Sequence, residues 1–448
     1  MYVAWPTHNR SESLLRSIHS LKKLRGRIKF VVSNSGKTDV AHAADTDAWE
    51  GERRQDWIEK LNKKAIEVGI DPELISFAIN PEMGKNSKVI STGANRNFLL
   101  LNLVGKKFIS VDDDVIFETY KINSEHNRNF IPANEFNHLS TFYFNNKEEL
   151  KIFKENMTPV DLSDFFQTHL LMLQYEKEGR RCGLSLAGYF GDSGFQSPRS
   201  IFSFDESSIE HLVKDHSTLD TALKSRILWR VSDTKKLMET SIVMPICAGF
   251  SNDLELPPFF PLGRNQDGAY GYAMSACLDS VFIGHMDIAI CHEPLDIRSY
   301  DQEFSPLQIR VNDLIALLWI ELLNKKNKKS YTTASVHFKE FSEQENFAES
   351  IQLIVSDHFI KRAETLDAKI NNLKKKSDIY NLWIQLAEKE KEACIISSQN
   401  ISYMIPIEAI SSTDNQLQAI LLTKKWIGLY GQLLGSWTAI RQIAQKSL

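Results

Sequence analysis

The spacing of hydrophobic residues divides the chain near residue 300. In the last third, apolar residues recur at steps of three or four residues or multiples of them, as in Phe347, Ile351, Ile354, Leu366, Ile370 and Leu373. This spacing places the apolar side chains on one face of an amphipathic helix. The apolar stretch from Leu417 to Ile440 contains Lys424 and Lys425, which predicts a packed helix and not a membrane span. We therefore predict an all-helical C-terminal domain over residues 301–448.

The first 300 residues show a different pattern, in which short apolar segments alternate with amphipathic ones. Strands are predicted at Tyr2 to Trp5, Ile28 to Val32, Leu74 to Ala78 and Phe108 to Val111. Helices are predicted from Ser11 to about Leu24, Ala94 to Leu103 and Leu162 to Lys177, and a glycine-rich turn from Gly188 to Gly194. Such alternation is typical of βαβ units. It predicts an α/β domain over residues 1–300 with a Rossmann-like, mostly parallel central sheet.

The distribution of glycine and proline supports this boundary. Of the 20 glycines, 17 lie at or before Gly284, and the next one is Gly428. Between Pro306 and Pro406 there is no proline. Turn-rich chain therefore gives way to helix-rich chain near residue 300.

Composition and charge exclude some classes of partner. The 448 residues are 42% hydrophobic and 25% charged, which is ordinary for a globular protein. With 53 Lys and Arg against 57 Asp and Glu, the net charge of -4 provides no general attraction for nucleic acid or anionic lipid. We therefore expect no nucleic-acid partner. The lysines that interrupt the apolar stretch from Leu417 to Ile440 predict no integral membrane segment.

The cysteines and the amino terminus predict a cytoplasmic location. The five cysteines are odd in number, scattered and without CxxC spacing, which argues against a disulfide framework or a structural zinc site. The sequence begins Met1-Tyr2-Val3-Ala4-Trp5-Pro6, which is typical of a strand and not of a signal peptide.

Three consecutive carboxylates, Asp112, Asp113 and Asp114, follow the strand predicted to end at Val111. Ligands of open α/β sheets bind beyond the carboxyl ends of the strands, which is where these acids fall. The acids repel one another unless a cation or donors compensate them. Asp112 and Asp114, as alternate residues, could point to one side and bind Mg²⁺ or Mn²⁺ together with diphosphate oxygens. The alternative is a solvated acidic turn that caps the next segment.

Motifs around this run resemble those of family 2 glycosyltransferases with the GT-A fold. The first is Pro6-Thr7-His8-Asn9-Arg10, and the second is Gly93-Ala94-Asn95-Arg96-Asn97. A later block combines Pro257-Pro258-Phe259-Phe260-Pro261, Arg264-Asn265-Gln266-Asp267-Gly268 and Cys291-His292-Glu293-Pro294. The order and spacing match over about residues 1 to 297, apart from residues 120 to 240. The resemblance implies a GT-A fold and an enzyme that uses a nucleotide-sugar donor.

The resemblance also implies roles for individual residues. The residues expected to bind the donor are Thr7, Asn9, Arg10, Arg96, Asp112 and Asp113. The expected metal ligands, for Mn²⁺ or Mg²⁺, are Asp112, Asp114 and His292. Asp267 is the expected catalytic residue, because a carboxylate on the acceptor side could take the acceptor proton during an in-line, inverting displacement.

Two positions depart from the family pattern. The family usually has an aspartate where the second strand ends, whereas this chain has Ser33-Asn34-Ser35. The Glu-Asp pair of the family is Gln266-Asp267 here. The contact that recognises the base, and therefore the identity of the nucleotide, stays open.

Each of these residues also has a structural interpretation. Arg10 and Arg96 could be helix-end residues in surface ion pairs. His292 could be a structural hydrogen-bonding residue at a strand end. Asp267 could be a helix N-cap, and Gly191-Asp192-Ser193-Gly194 a turn.

Two rival functions remain open on the sequence. An apolar strand that ends in Asp112-Asp113-Asp114 also resembles a haloacid-dehalogenase-type phosphohydrolase, with Asp112 as nucleophile and Asp114 as acid. A catalytically inactive GT-A scaffold that binds a partner protein is the other. For the enzyme, a glycan, peptide or small molecule is the expected acceptor. The helical domain could also mediate homo-oligomerisation.

Overall fold

The structure is a computed structural model of the whole chain. It describes residues 1–21, 28–35, 46–80, 92–122, 139–239, 243–296, 298–300, 304–325 and 328–447. An α/β part with a mixed central sheet is followed by a helical region, which confirms the coarse prediction.

The strands and helices of the described residues alternate irregularly along the chain. The strands are β1 Tyr2–Thr7, β2 Lys29–Asn34, β3 Asp47–Trp49, β4 Lys107–Val111, β5 Val115–Lys121, β6 Ser140–Phe144, β7 Thr158–Pro159, β8 Glu176–Lys177, β9 Arg180–Asp192, β10 Ile227–Val231, β11 Lys236–Met238, β12 Cys247–Ser251 and β13 Val281–His292. The helices are α1 Ser11–Ser20, α2 Gly51–Glu67, α3 Pro72–Ile79, α4 Thr92–Asn102, α5 Lys147–Glu155, α6 Leu162–Gln174, α7 Glu206–Val213, α8 His216–Lys224, α9 Gln266–Cys277, α10 Val311–Asn324, α11 Tyr331–Glu343, α12 Phe347–Leu373, α13 Asn381–Gln399, α14 Ile401–Met404, α15 Ile407–Ser411 and α16 Gln416–Gln445. Short 3₁₀ helices span Pro198–Ser203 and Asp378–Tyr380.

The described strands form one mixed sheet. Its main path runs β3-β2-β1-β4-β12-β9-β13-β5-β7, and the other strands pair beside it. Strand β1 is parallel to β2 and β4, and β2 is parallel to β3. Strand β12 is antiparallel to both β4 and β9, and β13 is antiparallel to β5. The prediction of a mostly parallel sheet is therefore wrong, because β12 inserts beside a strand far away in sequence, which local alternation does not encode.

The parallel strands create a topological switch point. From β1 the chain continues to β2 on one side, and it later returns to β4 on the other side of β1. In open α/β sheets such a point opens a crevice at the carboxyl ends of the strands, where ligands bind. Strand β1 ends at Thr7 and β4 ends at Val111, so the segments that follow both strands face this crevice.

Two local predictions fail for identifiable reasons. Leu74 to Ala78, predicted as a strand, lies in α3, because Asp71 accepts a hydrogen bond from Glu73 N and Pro72 occupies the first turn. These helix-start signals outweigh a short apolar run, whose periodicity is ambiguous. Gly188 lies within β9 and not in a turn. A Cβ there would meet Val231 Cγ2 at 2.5 Å, so this glycine permits close packing against β10.

The helices after residue 310 share a hydrophobic core with the α/β part. Residues such as Trp319, Tyr430 and Trp437 belong to the same buried cluster as Phe259 and Phe260. The Tyr430 hydroxyl donates to Pro258 O at 3.0 Å, and Trp437 Nε1 donates to Leu256 O at 2.8 Å. The helical region thus begins near the predicted boundary, but its core is continuous with that of the sheet.

The long helices predicted in the last third are confirmed as α12 and α16. Among the described residues, no helix is long and apolar enough to cross a membrane.

Candidate active site

A cavity of about 410 Å³ lies at the carboxyl ends of β1 and β4, and we call it the inner cavity. Its lining includes Thr7, Arg10, Arg96, Asp112, Asp113, Asp114, Asp267 and His292. Asn9 lies in the turn before α1, where its φ of 55° is left-handed. Among the residues that the structure describes, those that line the cavity do not include Asn9. The fold therefore brings together the predicted site residues other than Asn9 from separate segments of the chain.

Asp113 connects the acidic run to the end of β1. Thr7 Oγ1 donates to Asp113 Oδ2 at 2.6 Å, and Arg10 Nη1 donates to Asp113 Oδ1 at 3.2 Å. Arg10 Nη1 also lies 3.5 Å from Asp114 Oδ2, so one guanidinium serves two carboxylates. Burial alone would lower the pKa of Arg10, but Asp113 and Asp114 outweigh it and raise this pKa. The two carboxylates therefore hold the Arg10 guanidinium at the cavity.

Arg96 connects the acidic run to Asp267. Its side chain is 4% exposed, Nη2 donates to Asp112 Oδ1 at 2.9 Å, and Nε lies 3.7 Å from Asp267 Oδ1. The N-cap of α9 is Asn265, so the interpretation of Asp267 as the N-cap is wrong. Burial raises the pKa of Asp267 against the opposing effects of Arg96 and Gln266. A raised pKa suits a carboxylate that takes up a proton near neutral pH.

His292 binds Asp114 through one ring nitrogen and the backbone through the other. Nδ1 lies 2.7 Å from Asp192 O, and Nε2 lies 3.1 Å from Asp114 Oδ1. A carbonyl oxygen only accepts, so Nδ1 carries a proton. The short distance between Nε2 and the carboxylate then requires a positive charge, either a second ring proton or a cation bound by both side chains. Burial alone lowers the pKa of His292, but Asp114 outweighs it and raises this pKa to about 9.

The Asp114 and His292 pair fits part of a divalent metal site. Two neighbouring ligands of an octahedral ion with bonds of about 2.1 Å lie about 3 Å apart, and these two atoms are 3.1 Å apart. The bond from Nδ1 to a backbone carbonyl is the second contact usual for a metal-binding histidine. Among the described residues, no three His, Cys, Asp or Glu side chains are grouped to hold a metal. The remaining ligands would have to be water or substrate oxygens, as is common for Mg²⁺.

Asp112 and Asp114 do not act as a matched pair. Residues 112 to 114 form a turn between β4 and β5, so the alternation of an extended strand does not apply to them. Asp112 faces Arg96, whereas Asp114 faces His292, Arg10 and Arg298. Metal binding by Asp112 therefore stays a prediction. For Asp112 to bind a metal, its contact with Arg96 would have to break.

The environment separates the acidities of these two carboxyl groups. Burial raises the pKa of Asp112 to about 7, although 31% of its side chain is accessible from the cavity and Arg96 opposes the shift. Asp114 is more deeply buried, with 6% of its side chain exposed, but His292, Arg10 and Arg298 together outweigh burial and lower its pKa well below the usual range. Asp114 is thus ionised at neutral pH, and Asp112 lies near its titration point.

The second sequence motif joins the strands that carry the site. A Cβ on Gly93 would meet Phe260 O at 2.1 Å, so only glycine permits this approach of α4 to residues 257–261. Asn95 Nδ2 donates to Thr7 O at 2.9 Å. Asn97 Nδ2 donates to Ala78 O at 3.0 Å and to Phe259 O at 2.9 Å. These contacts fix the position of Arg96 between the acidic run and α9.

Sequence reasoning missed a group of cations at the mouth of the cavity. Arg264, Arg298 and Arg310 belong to its lining, and Arg298 Nη2 lies 3.6 Å from Asp114 Oδ2. Arg264 stands three residues before Asp267 and could have been found from that motif. Arg310 precedes α10, and no sequence signal connects it to the site.

No known family model matches this sequence, and no curated protein matches it either.

Proposed function

We propose that this chain is a metal-dependent glycosyltransferase that moves a sugar from a nucleotide-diphosphate donor to an acceptor. The observation that carries the proposal is that the acidic run, His292 and Asp267 line one cavity at the switch point of the sheet. Crevices of this kind are the usual ligand sites of open α/β sheets. The resemblance of the motifs to family 2 glycosyltransferases, and with it the GT-A fold, belongs to this proposal.

The donor side of the site comprises the acidic run and the residues around it. Asp114 and His292 would hold the metal, which when bound would neutralise the charge that develops on the leaving diphosphate. Arg10 already serves two carboxylates and lines the cavity, so it can exchange one of them for a phosphate oxygen. Thr7 orients Asp113 through its 2.6 Å hydrogen bond.

Asp267 is the proposed base. The acceptor oxygen forms a bond to the anomeric carbon while the bond from that carbon to the diphosphate oxygen breaks, and the acceptor proton passes to Asp267. Arg96, 3.7 Å away, orients Asp267, and its charge opposes the rise in the pKa of Asp267 that burial causes. A single displacement of this kind inverts the anomeric configuration.

The rival phosphohydrolase needs Asp112 as an ionised nucleophile. Its pKa of about 7, which results from burial, and its bond to Arg96 both weaken it in that role. The geometry around Asp112 therefore favours glycosyl transfer over phosphoester hydrolysis.

A hydrolysis screen tests the proposed function. A panel of nucleotide-sugars is incubated with the full chain with and without Mn²⁺, and we expect slow, metal-dependent hydrolysis of one donor. Asp220→Asn, on the exposed face of α8, is the control and should behave like the parent. Hydrolysis of generic phosphomonoesters that is lost in Asp112→Asn would support the rival instead. Donor binding without hydrolysis would indicate an inactive scaffold.

A further inference from the structure

A second, larger cavity opens from the mouth of the inner cavity, and we call it the outer chamber. Its volume is about 930 Å³, and it shares Arg10, Arg264, Arg298 and Arg310 with the inner cavity. Its far wall is formed by segments near Pro306 and Glu408, so the helical region builds part of it. A recess of this size is in the range of small-molecule sites, which are about 300–1,000 Å³.

Arginines dominate the lining of the outer chamber. The lining contains Arg10, Arg199, Arg226, Arg264, Arg298 and Arg310, against the two acids Asp296 and Glu408. Two of the arginines form salt bridges: Arg226 with Asp192 at 2.7 Å, and Arg199 with Glu390 at 2.9 Å. Arg10 and Arg298 face the carboxylates of the inner cavity.

Arg264 and Arg310 are less fully neutralised than these four arginines. Within the described ranges, neither side chain is within 4 Å of a carboxylate. The Arg310 guanidinium donates to the neutral Gln196 Oε1, and its charge acts on Glu408 only from a greater distance. Burial, together with the nearby Arg10, Arg310 and Arg298, lowers the pKa of Arg264. Like charges held together in this way favour an anion between them.

The loop that carries Arg264 is held rigidly in this position. Asn312 Nδ2, on a fully buried side chain, donates to Leu262 O at 2.6 Å and to Arg264 O at 3.0 Å. A Cβ on Gly263 would meet Glu408 Oε1 and Val311 Cγ1, each at 2.8 Å, so the loop and the first turn of α10 approach closely. The backbone that carries Arg264 is therefore preorganised by contacts made by other residues.

We infer that the outer chamber binds the phosphate group of a small phosphorylated acceptor, with Arg264 and Arg310 as its specificity-determining contacts. Two guanidinium groups that form no salt bridge within the described ranges match the double charge of a phosphate monoester better than the single charge of a carboxylate. The chamber opens onto the cavity that contains Asp267, so the acceptor enters from the side of the proposed base. The identification of the ligand as an acceptor rests on the proposed function. The existence of the anion site does not.

Calorimetric titration of the full chain with inorganic phosphate tests the site. We expect that Arg264→Gln and Arg310→Gln each weaken phosphate binding by about 10-fold or more, the effect of losing one charged hydrogen-bond donor. Arg53→Gln is the control, because Arg53 lies on α2 and pairs with Asp47, away from both cavities. Absence of phosphate binding, or equal binding by both variants and the parent, overturns the inference.

A second titration distinguishes acceptor from donor. Phosphate is added to protein saturated with Mn²⁺ and one of the common nucleoside diphosphates, and we expect its affinity to be unchanged. Competition between the two ligands would mean that the arginines serve the donor diphosphate, which overturns the acceptor assignment. Binding to phosphatidic acid vesicles that needs Arg264, without binding of free phosphate, overturns the small-molecule assignment. If no nucleoside diphosphate binds, the proposed function fails, while the first titration still decides the anion site.

Discussion

The inner cavity and the outer chamber share a rim of arginines but balance their charges differently. In the inner cavity each carboxylate of the acidic run already has a cationic partner, such as Arg96 for Asp112 and His292 for Asp114. In the outer chamber, Arg264 and Arg310 form no salt bridge among the described residues, and Glu408 acts on Arg310 only from a greater distance. A carboxylate with a cationic partner can exchange that partner when a ligand enters. An arginine outside any salt bridge is available to bind an added anion. This difference is what we expect if the inner cavity carries out the proposed transfer and the outer chamber binds the proposed acceptor.

The largest expected effect separates chemistry from recognition. Asp267→Asn keeps the shape of the side chain and its neighbours Arg96 and Gln266, but it cannot take up a proton. Loss of a general base typically lowers the rate by about 10²- to 10⁴-fold, and we expect this loss in kcat. Steady-state kinetics and calorimetry on one preparation measure rate and donor affinity together. Turnover close to that of the parent would show that the inner cavity does not use Asp267 as a base.

A smaller effect tests whether the charges of the inner cavity are paired. Asp114→Asn leaves His292, Arg10 and Arg298 without their shared carboxylate. Breaking a buried ion pair by removing one partner costs about 3–5 kcal/mol of unfolding free energy. Urea denaturation should show this loss for Asp114→Asn.

Asp112→Asn is the matched control for that experiment. Burial raises the pKa of Asp112, so its ionised form is disfavoured in the folded state and its removal should cost little. Equal destabilisation by both variants would contradict the separation of the two carboxyl groups.

The smallest expected effect is a change in the pH dependence of stability caused by a second buried histidine, His169. Its pKa is shifted mainly by burial, whereas for His292 the effect of burial is outweighed by Asp114. His169 is fully buried, its Nδ1 lies 2.7 Å from Ser185 Oγ, and burial lowers its pKa to about 3. The unfolded chain therefore binds a proton below about pH 6.5 that the folded chain excludes until about pH 3. Stability should fall as pH falls through this range, by at most about 1.4 kcal/mol per pH unit. His169→Gln should reduce the slope of unfolding free energy against pH, and an unchanged slope would contradict this assignment.

The acidic run could be placed from the sequence pattern because it follows a strand, whereas the roles of Thr7, Arg10, Arg96 and Asp267 came from the resemblance of their motifs. Strands β1 and β4 are short apolar segments with a local signal, and the polar residues after them necessarily share the carboxyl edge of a parallel pair. His292, at the end of β13, was placed only by the resemblance of its motif. Its position depends on Gly191, where a Cβ would meet His292 O at 2.4 Å. No local pattern reveals such a contact between distant strands.

The outer chamber could not be predicted, because its wall consists of loops and helix ends from both parts of the chain. Arg310 stands before α10 and faces Gln196, more than a hundred positions earlier. The continuous core is another non-local feature: Trp437 and Tyr430 of α16 donate to the backbone of residues 256 and 258. Amphipathic spacing predicts that such helices exist, but not what their apolar faces cover. Amphipathic spacing likewise does not decide whether the chain divides into two domains, so that division stays a prediction.

The proposed function requires that the inner cavity binds a nucleoside diphosphate through a metal held by Asp114 and His292. Calorimetric titration of nucleoside diphosphates with and without Mn²⁺ tests it most directly, on the parent chain and on Asp114→Asn and His292→Gln variants shown to be folded by circular dichroism. We expect that one nucleoside diphosphate binds the parent only with Mn²⁺, and that both variants lose this metal-dependent binding. Unchanged Mn²⁺-dependent affinity in either folded variant would contradict the claim.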